Sequence, residues 1–222
     1  QRSLVGSEMC IRDRTLYSST SYFQYKMQPM GYEYDLINDF AKSQGLKLNI
    51  KVAENPARLI EMLEAGEVDV VAYPIPINNK LKQEVIYCGR EDISSQVLIQ
   101  RANKGDKLLT DVTQLIDKNV YVKPNTKYSE RLKNLDEELG GGIHIQKVEN
   151  DSIATEDLIE MVSLGEIPYT ISDDNTARLN KTYYWNINVA LKVSFPQRSS
   201  WVVRKSSPDL AKAIDELSLI HI

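Results

Sequence analysis

Tyr169-Thr-Ile-Ser-Asp-Asp-Asn175 follows the apolar stretch Leu158-Ile-Glu-Met-Val-Ser-Leu164 after a short turn through Gly165 and Glu166-Ile-Pro168. The spacing predicts a helix stopped by Gly165, a buried strand over Tyr169–Ile171, and a polar cluster of Asp173, Asp174 and Asn175 at the strand's carboxyl end. In an open α/β sheet that end faces the ligand crevice, so the cluster is placed where ligands bind. The same order occurs earlier. Leu59-Ile-Glu-Met-Leu-Glu-Ala-Gly66 reads as a helix with a glycine stop, Val68–Ala72 as a strand, and Tyr73-Pro-Ile-Pro-Ile-Asn-Asn79 as the loop at its end. Two copies of one pattern imply two similar lobes.

The rest of the chain extends this pattern. Leu36, Ile37, Phe40 and Ala41 recur at helical spacing before Gly45, and Leu46-Lys-Leu-Asn-Ile-Lys-Val52 alternates as a half-buried strand does. Thr15–Tyr17 reads as the end of a first strand, followed by the polar loop Ser18–Gln24. Val120-Tyr-Val122 reads as a strand and Tyr128–Leu139 as a helix closed by three glycines. Alternating strands and helices favour an α/β fold with mostly parallel sheets flanked by helices. Crossings between the lobes are expected at 96–106 and near 189–195. They divide the chain into lobe 1 (15–95 plus 190–216) and lobe 2 (96–189), joined by a hinge of two strands.

The 222 residues carry a net charge of -4, with 42% hydrophobic and 26% charged residues, an ordinary composition for a folded domain. Basic residues are scattered, which argues against a nucleic-acid partner. No stretch approaches the ~18 apolar residues of a membrane span. Cys10, Cys88, His144 and His221 lack metal-ligand spacing, so neither a metal nor a cofactor is expected. Cys88 reads as structural and His144 as the solvent-facing member of a strand. Residues 1–14 and 217–222 show no period joining them to their neighbours. Ser3-Leu-Val-Gly-Ser-Glu-Met-Cys-Ile-Arg-Asp-Arg14 and Leu217-Ser-Leu-Ile-His-Ile222 resemble translated sequencing-adaptor sequence and are read as non-native flanks, outside the fold. A native signal or anchor, and anything downstream, would lie beyond them.

Gly31-Tyr-Glu-Tyr-Asp35, Ala65-Gly-Glu-Val-Asp69, Thr126-Lys-Tyr-Ser-Glu-Arg-Leu132 and Glu166–Asn175 resemble the bacterial extracellular solute-binding proteins of family 3. The likeness runs from about Thr15 to Glu216. Within the family, Met161–Asn180 is most similar to the amino-terminal modules of membrane-bound lytic murein transglycosylases. The resemblance implies a two-lobed, type II periplasmic-binding-protein clamshell that closes on a small ligand. It also implies that Tyr22, Tyr73 and Ile75 contact the ligand from lobe 1, and Asn125, Thr126 and Asp173 from lobe 2. Family members that bind amino acids carry an arginine gripping the α-carboxylate where this chain has Leu81. Lys80 and Lys82 do not reproduce that fork, and Pro74 and Pro76 remove N–H donors.

Each assignment has a plainer counterpart. Asp173 could cap the helix starting near Thr176. Tyr22 is balanced between core and an exposed loop. Lys127 reads better as a solvated first-turn residue, because the helix dipole opposes a cation there. Tyr183-Tyr-Trp185 could be a sugar-stacking platform, but a surface cluster packing beneath the hinge is the preferred reading, because aromatic groups most often serve burial. No catalytic constellation stands out, so the chain alone is expected to be no enzyme. The leading reading is a monomeric sensor module of a cell-envelope lytic transglycosylase, in the periplasm or anchored facing it, recognising a muropeptide or short peptide. Its partner would be a downstream catalytic domain. A stand-alone receptor delivering a polar solute to an ABC permease is the alternative, and a cyclohexadienyl-dehydratase-like enzyme, which Leu81 disfavours, is the third.

Overall fold

The computed structural model describes residues 10–16, 21–53, 56–150 and 152–218. The expected strand end at Tyr17, the loop residues Ser18–Thr20 and His221 lie outside them. The chain divides into two compact units, residues 1–92 with 198–222, and residues 93–197.

The first unit is built on a five-stranded sheet. Its strands are β1 (Cys10–Thr15), β4 (Lys47–Val52), β5 (Val70–Pro76), β6 (Val85–Ser94) and β12 (Gln197–Arg204), in the order β4-β1-β5-β12-β6. β1 runs parallel to β4 and β5, and β12 is antiparallel to β5. Helices α1 (Tyr32–Ser43), α2 (Pro56–Glu64), α3 (Leu81–Glu84) and α7 (Pro208–Ser218) complete it, with a hairpin of β2 (Phe23–Tyr25) and β3 (Gln28–Met30) ahead of α1. Successive residues of a strand point to opposite faces. Accordingly Val70, Ala72 and Val203 join Ile37 and Phe40 in one core cluster, while Val71 and Val202 join Leu59 and Leu63 in another. Both faces of the sheet are covered, as parallel strands require.

Residues 10–14, expected to lie outside the fold, are in the middle of this sheet. β1 pairs along its whole length with β4, and Ile11 and Asp13 are 3% and 1% exposed. Arg12 is tied to Asp69 by a bidentate pair of hydrogen bonds at 3.0 and 2.8 Å. The segment escapes an apolar-alternation search because a carboxylate, Asp13, occupies an inward position. Likewise α7 continues to Ser218, and Leu217 packs against the core of Ile37 and Phe40.

The second unit holds β7 (Gln96–Arg101), β8 (Asn119–Val122), β9 (His144–Lys147), β10 (Tyr169–Asp173) and β11 (Ile187–Asn188), in the order β11-β7-β10-β8-β9. β8 is parallel to β9 and β10, whereas β7 is antiparallel to β10 and β11. Its helices are α4 (Lys127–Glu138), α5 (Thr155–Leu164) and α6 (Asp174–Tyr183). The boundaries between the units fall at 92/93 and 197/198, inside β6 and β12. The expected crossing at 96–106 begins instead with β7, an inner strand of the second sheet whose residues 96–100 are all buried.

Candidate functional site

Strands β8 and β10 are parallel neighbours, so their carboxyl ends open on the same edge of the second sheet. Each is followed by a helix, and the residues at those two turns meet. Asp173 occupies the position before α6 with extended backbone (φ -62, ψ 146), but its side chain makes no capping hydrogen bond. The capping role considered for it is therefore absent. Its Oδ2 accepts hydrogen bonds from Lys127 Nζ at 2.5 Å and from the Tyr128 hydroxyl at 3.1 Å. The lysine and aspartate side chains are 24% and 19% exposed. Lys127 is thus no solvated first-turn residue. It opens α4 at the helix's positive end, where a cation is disfavoured, and the Asp173 carboxylate offsets that opposition. Its ammonium also lies 5.4 Å from the Tyr128 ring centroid.

Around this pair are polar atoms without protein partners. Gln96 is the cross-strand partner of Asp173 and so shares its face of the sheet. Gln96 Oε1, Ser172 Oγ and Asp174 Oδ1 are buried and accept or donate no hydrogen bond. Buried polar atoms are nearly always paired with protein or water, so the orphaned Gln96 Oε1 on the face of Asp173 indicates a wet or ligand-occupied recess there, whereas Ser172, next in the strand, belongs to the opposite face. Phe195, 87% exposed, flanks the same edge, because the Val193 N–H donates to the Gln96 carbonyl at 2.9 Å and the Gln96 N–H to Ser194 Oγ at 2.8 Å.

Asn125 and Thr126 adjoin this cluster in the turn before α4. Asn125 is exposed and left-handed (φ 57), a conformation asparagine tolerates better than most residues. The Thr126 hydroxyl is committed locally, donating to the Lys123 carbonyl at 2.8 Å and accepting the Ser129 N–H at 3.3 Å. It organises the turn, and any contact from Thr126 to a ligand would come from its backbone.

The other three expected contacts belong to the first unit. Tyr22 is 6% exposed and packs edge-on against Tyr34, with centroids 5.8 Å apart, so it is a core residue there. Tyr73 and Ile75 lie in β5, which continues through Pro76 where a loop was expected. Ile75 is 4% exposed, and both join the core of Leu59 and Leu63. Leu81 packs against the same core, so the place of the family's carboxylate-gripping arginine holds a half-buried apolar side chain.

Two carboxyls in this unit are strongly perturbed. Burial pushes Asp13 up to about 7, although the Ala72 N–H donates to it, and burial likewise raises Glu33 to about 7 against a hydrogen bond from the Trp201 indole. Burial also pushes the Cys88 thiol up to about 12, which makes it unreactive. Among the described residues no group of three or more His, Cys, Asp or Glu could hold a metal ion, and no helix is long and apolar enough to cross a membrane.

A two-unit α/β chain with a charged cluster at the carboxyl ends of parallel strands defines a ligand-binding protein. Residues 13–218 match the bacterial extracellular solute-binding proteins, family 3, and the chain belongs to that family. Among curated relatives it is 32% identical over 202 residues to membrane-bound lytic murein transglycosylase F of Desulfosudis oleivorans, covering 89% of this chain and 42% of the relative. It is 28% identical over 201 residues to the protein of that name from Pseudomonas fluorescens, covering 90% and 40%. The chain thus spans about two fifths of those relatives' length. Among solved structures, the arginine-bound form of truncated ArgBP from T. maritima superposes with a TM-score of 0.78 at 19% identity, over 96% of each chain. A putative L-cystine ABC transporter protein from Listeria monocytogenes gives 0.77 at 20% identity, over 96% and 89%. The fold is that of the type II periplasmic binding proteins.

Proposed function

We propose that this chain is the ligand-sensing domain of a cell-envelope lytic murein transglycosylase, without catalytic activity of its own. It acts as a monomer in the periplasm or tethered to face it. Its ligand is a muropeptide or short peptide, and its partner is a catalytic domain in the same polypeptide. The observation that carries the reading is the Lys127–Asp173–Tyr128 cluster on the same sheet face as the orphaned Gln96 side chain. It offers a cation and an anion together, which suits a ligand bearing both charges, and the exposed Phe195 supplies an apolar wall. The names of the relatives favour a cell-wall ligand. Leu81 supports a peptide over a free amino acid, since no arginine fork is supplied from that position.

The test is calorimetric titration with purified anhydromuropeptides and with the free tri- and tetrapeptides of the wall, on the natural chain and on Asp173→Ala. Binding of a peptide-bearing fragment that the substitution weakens by ten-fold or more supports the reading. Saturable binding of common amino acids instead, or muropeptide binding indifferent to Asp173, rejects it. The stand-alone transport receptor is favoured only by the fold shared with ABC-transporter binding proteins. Under that reading the undisturbed reading frame encodes no lysozyme-like domain.

A further inference from the structure

On the opposite edge of the second sheet the chain presents a surface that the ligand cluster does not use. Tyr183 and Trp185, expected to form a surface cluster packed beneath the hinge, are 73% and 82% exposed. Tyr184 between them is extended (φ -113, ψ 82) and packs inward against the core of Ile99, Ile159 and Ile187, so the two aromatic groups on either side are left to solvent. Leu164, 64% exposed, adds to the patch. Asn186 fixes the position of the segment. Its side chain donates to the Ser163 carbonyl at 2.8 Å, and its own carbonyl accepts the Ala102 N–H at 2.7 Å.

Asn186 thus pairs beside Arg101, which lines a cavity of about 340 Å³ together with Gln100, Asp106, Lys107, Gly165 and Tyr169, among others. The cavity is polar. Arg101 and Asp106 form a bidentate pair at 3.0 and 3.2 Å. Gly165 shapes its wall, since it is left-handed (φ +81) and a Cβ there would lie 2.4 Å from the Arg101 guanidinium. From Tyr169 to Asp173 the strand spans about 13 Å, so this edge is separate from the ligand cluster.

We infer that this edge is a second binding site, for an uncharged polysaccharide chain. Exposed Tyr and Trp rings give flat apolar faces with polar tips, which match the alternating C–H faces and hydroxyl rims of sugar rings. A paired guanidinium and carboxylate serve hydroxyl and amide groups as donors and acceptors without demanding charge on the ligand. Charge argues against the other occupants. Arg101 is paired with Asp106, and the negative charges of Glu160 and Asp157 act on the nearby Tyr184 hydroxyl, so the single further lysine of the cavity, Lys107, does not make the clustered basic excess that anionic lipid or nucleic acid requires. A partner helix would need an apolar groove, whereas the recess here is polar.

Hexa-N-acetylchitohexaose is the probe, titrated against the whole chain by calorimetry and by quenching of tryptophan fluorescence, with cellohexaose as the arm lacking amides. Binding is expected, and Trp185→Ala is expected to weaken it roughly tenfold without changing the melting temperature, as the residue is exposed. Gly165→Ala, by displacing Arg101, should weaken it as well. Asp173→Ala should leave it unchanged, which separates this site from the proposed muropeptide site whatever becomes of that one. Absence of saturation at millimolar sugar, or binding indifferent to both Trp185→Ala and Gly165→Ala, would overturn the inference. So would a finding that Trp185 governs adsorption to anionic vesicles or self-association instead.

Discussion

Replacing Glu33 by Gln should stabilise the first unit above neutral pH and leave it unchanged in acid. Glu33 sits in the first turn of α1, where the Trp201 indole N–H donates to its carboxylate. Burial is the largest influence and raises it from 4.5 to about 7. Nearby Asp92 adds to that, while the Trp201 hydrogen bond and Arg90 oppose it. A carboxyl raised on folding takes up its proton more readily in the native state. Its contribution is therefore fully present below the unfolded pKa of 4.5 and is lost as pH rises through about 7. The interval corresponds to about 3 kcal/mol at ~1.4 kcal/mol per pH unit, an upper figure because Glu33 keeps some exposure. Gln keeps an oxygen to accept from Trp201 but carries no charge. Asp13, also raised to about 7, is coupled to Glu33 and titrates in the same window, so part of the slope will survive the substitution.

The assay is a series of urea midpoints from pH 4.5 to 8.5, followed by Trp201 fluorescence in a Trp185→Phe background. The natural chain should lose stability across the window. Glu33→Gln should match it at pH 4.5 and exceed it at pH 8 by about 1–3 kcal/mol. Equal slopes in the two proteins, or a destabilisation of the same size at both ends, would refute the burial argument.

Three further outcomes are expected. Because a half-buried leucine stands at position 81 and supplies no guanidinium fork, free amino acids should bind no tighter than the high micromolar range, and a calorimetric screen returning sub-micromolar affinity for any of them would contradict this. Asp173→Ala should weaken the chain's ligand by about 1.5–3 kcal/mol, the scale of a hydrogen bond to a charged group, while changing the urea midpoint little because the side chain caps nothing. A destabilised variant with unaltered affinity would remove Asp173 from the site. The two-residue hairpin turn places Lys26 (φ 49) and Met27 (φ 64) in left-handed backbone, a type I′ geometry suited to Asn-Gly. With Met27 93% exposed, Lys26→Asn with Met27→Gly should stabilise by about 1 kcal/mol, read as a rise in melting temperature.

The repeated run of helix, glycine, turn and strand was legible because each step has a local cause. Gly165 ends α5 in left-handed conformation (φ 81), and β10 delivers Asp173 to a sheet edge as its position in the pattern implies. What stayed hidden depends on partners far apart in sequence. Lys127 and Asp173 are 46 residues apart and meet only because β8 and β10 pair in parallel, a register that no local pattern encodes. β1 was hidden by the buried Asp13. Pro74 and Pro76 read as loop markers, yet β5 carries both of them to its end. The aromatic run at 183–185 misled in another way. The general preference for burying aromatic rings holds for Tyr184 and fails on either side of it, because the inward turn of one residue leaves its neighbours outside.

The Lys127–Asp173 pair also bears on which ligands the second unit can take. Asp173 already has an ammonium 2.5 Å away, tethered to the same unit and present at high effective concentration. A ligand amine alone would have to displace it and leave a cation at the positive end of α4, which the helix dipole opposes. A ligand that brings a carboxylate along with its amine can exchange partners, its amine passing to Asp173 and its carboxylate to Lys127, so that neither protein charge is left unpaired. In a free amino acid the two groups sit on one carbon and compete for the same few ångströms. A peptide holds its charged groups farther apart, and its amides can satisfy Gln96 Oε1. On this reasoning Lys127→Gln should admit simple amines that the natural chain excludes and should weaken peptides that carry a carboxylate. An unchanged ligand range in that variant would mean that the pair serves only to join α4 to the end of β10.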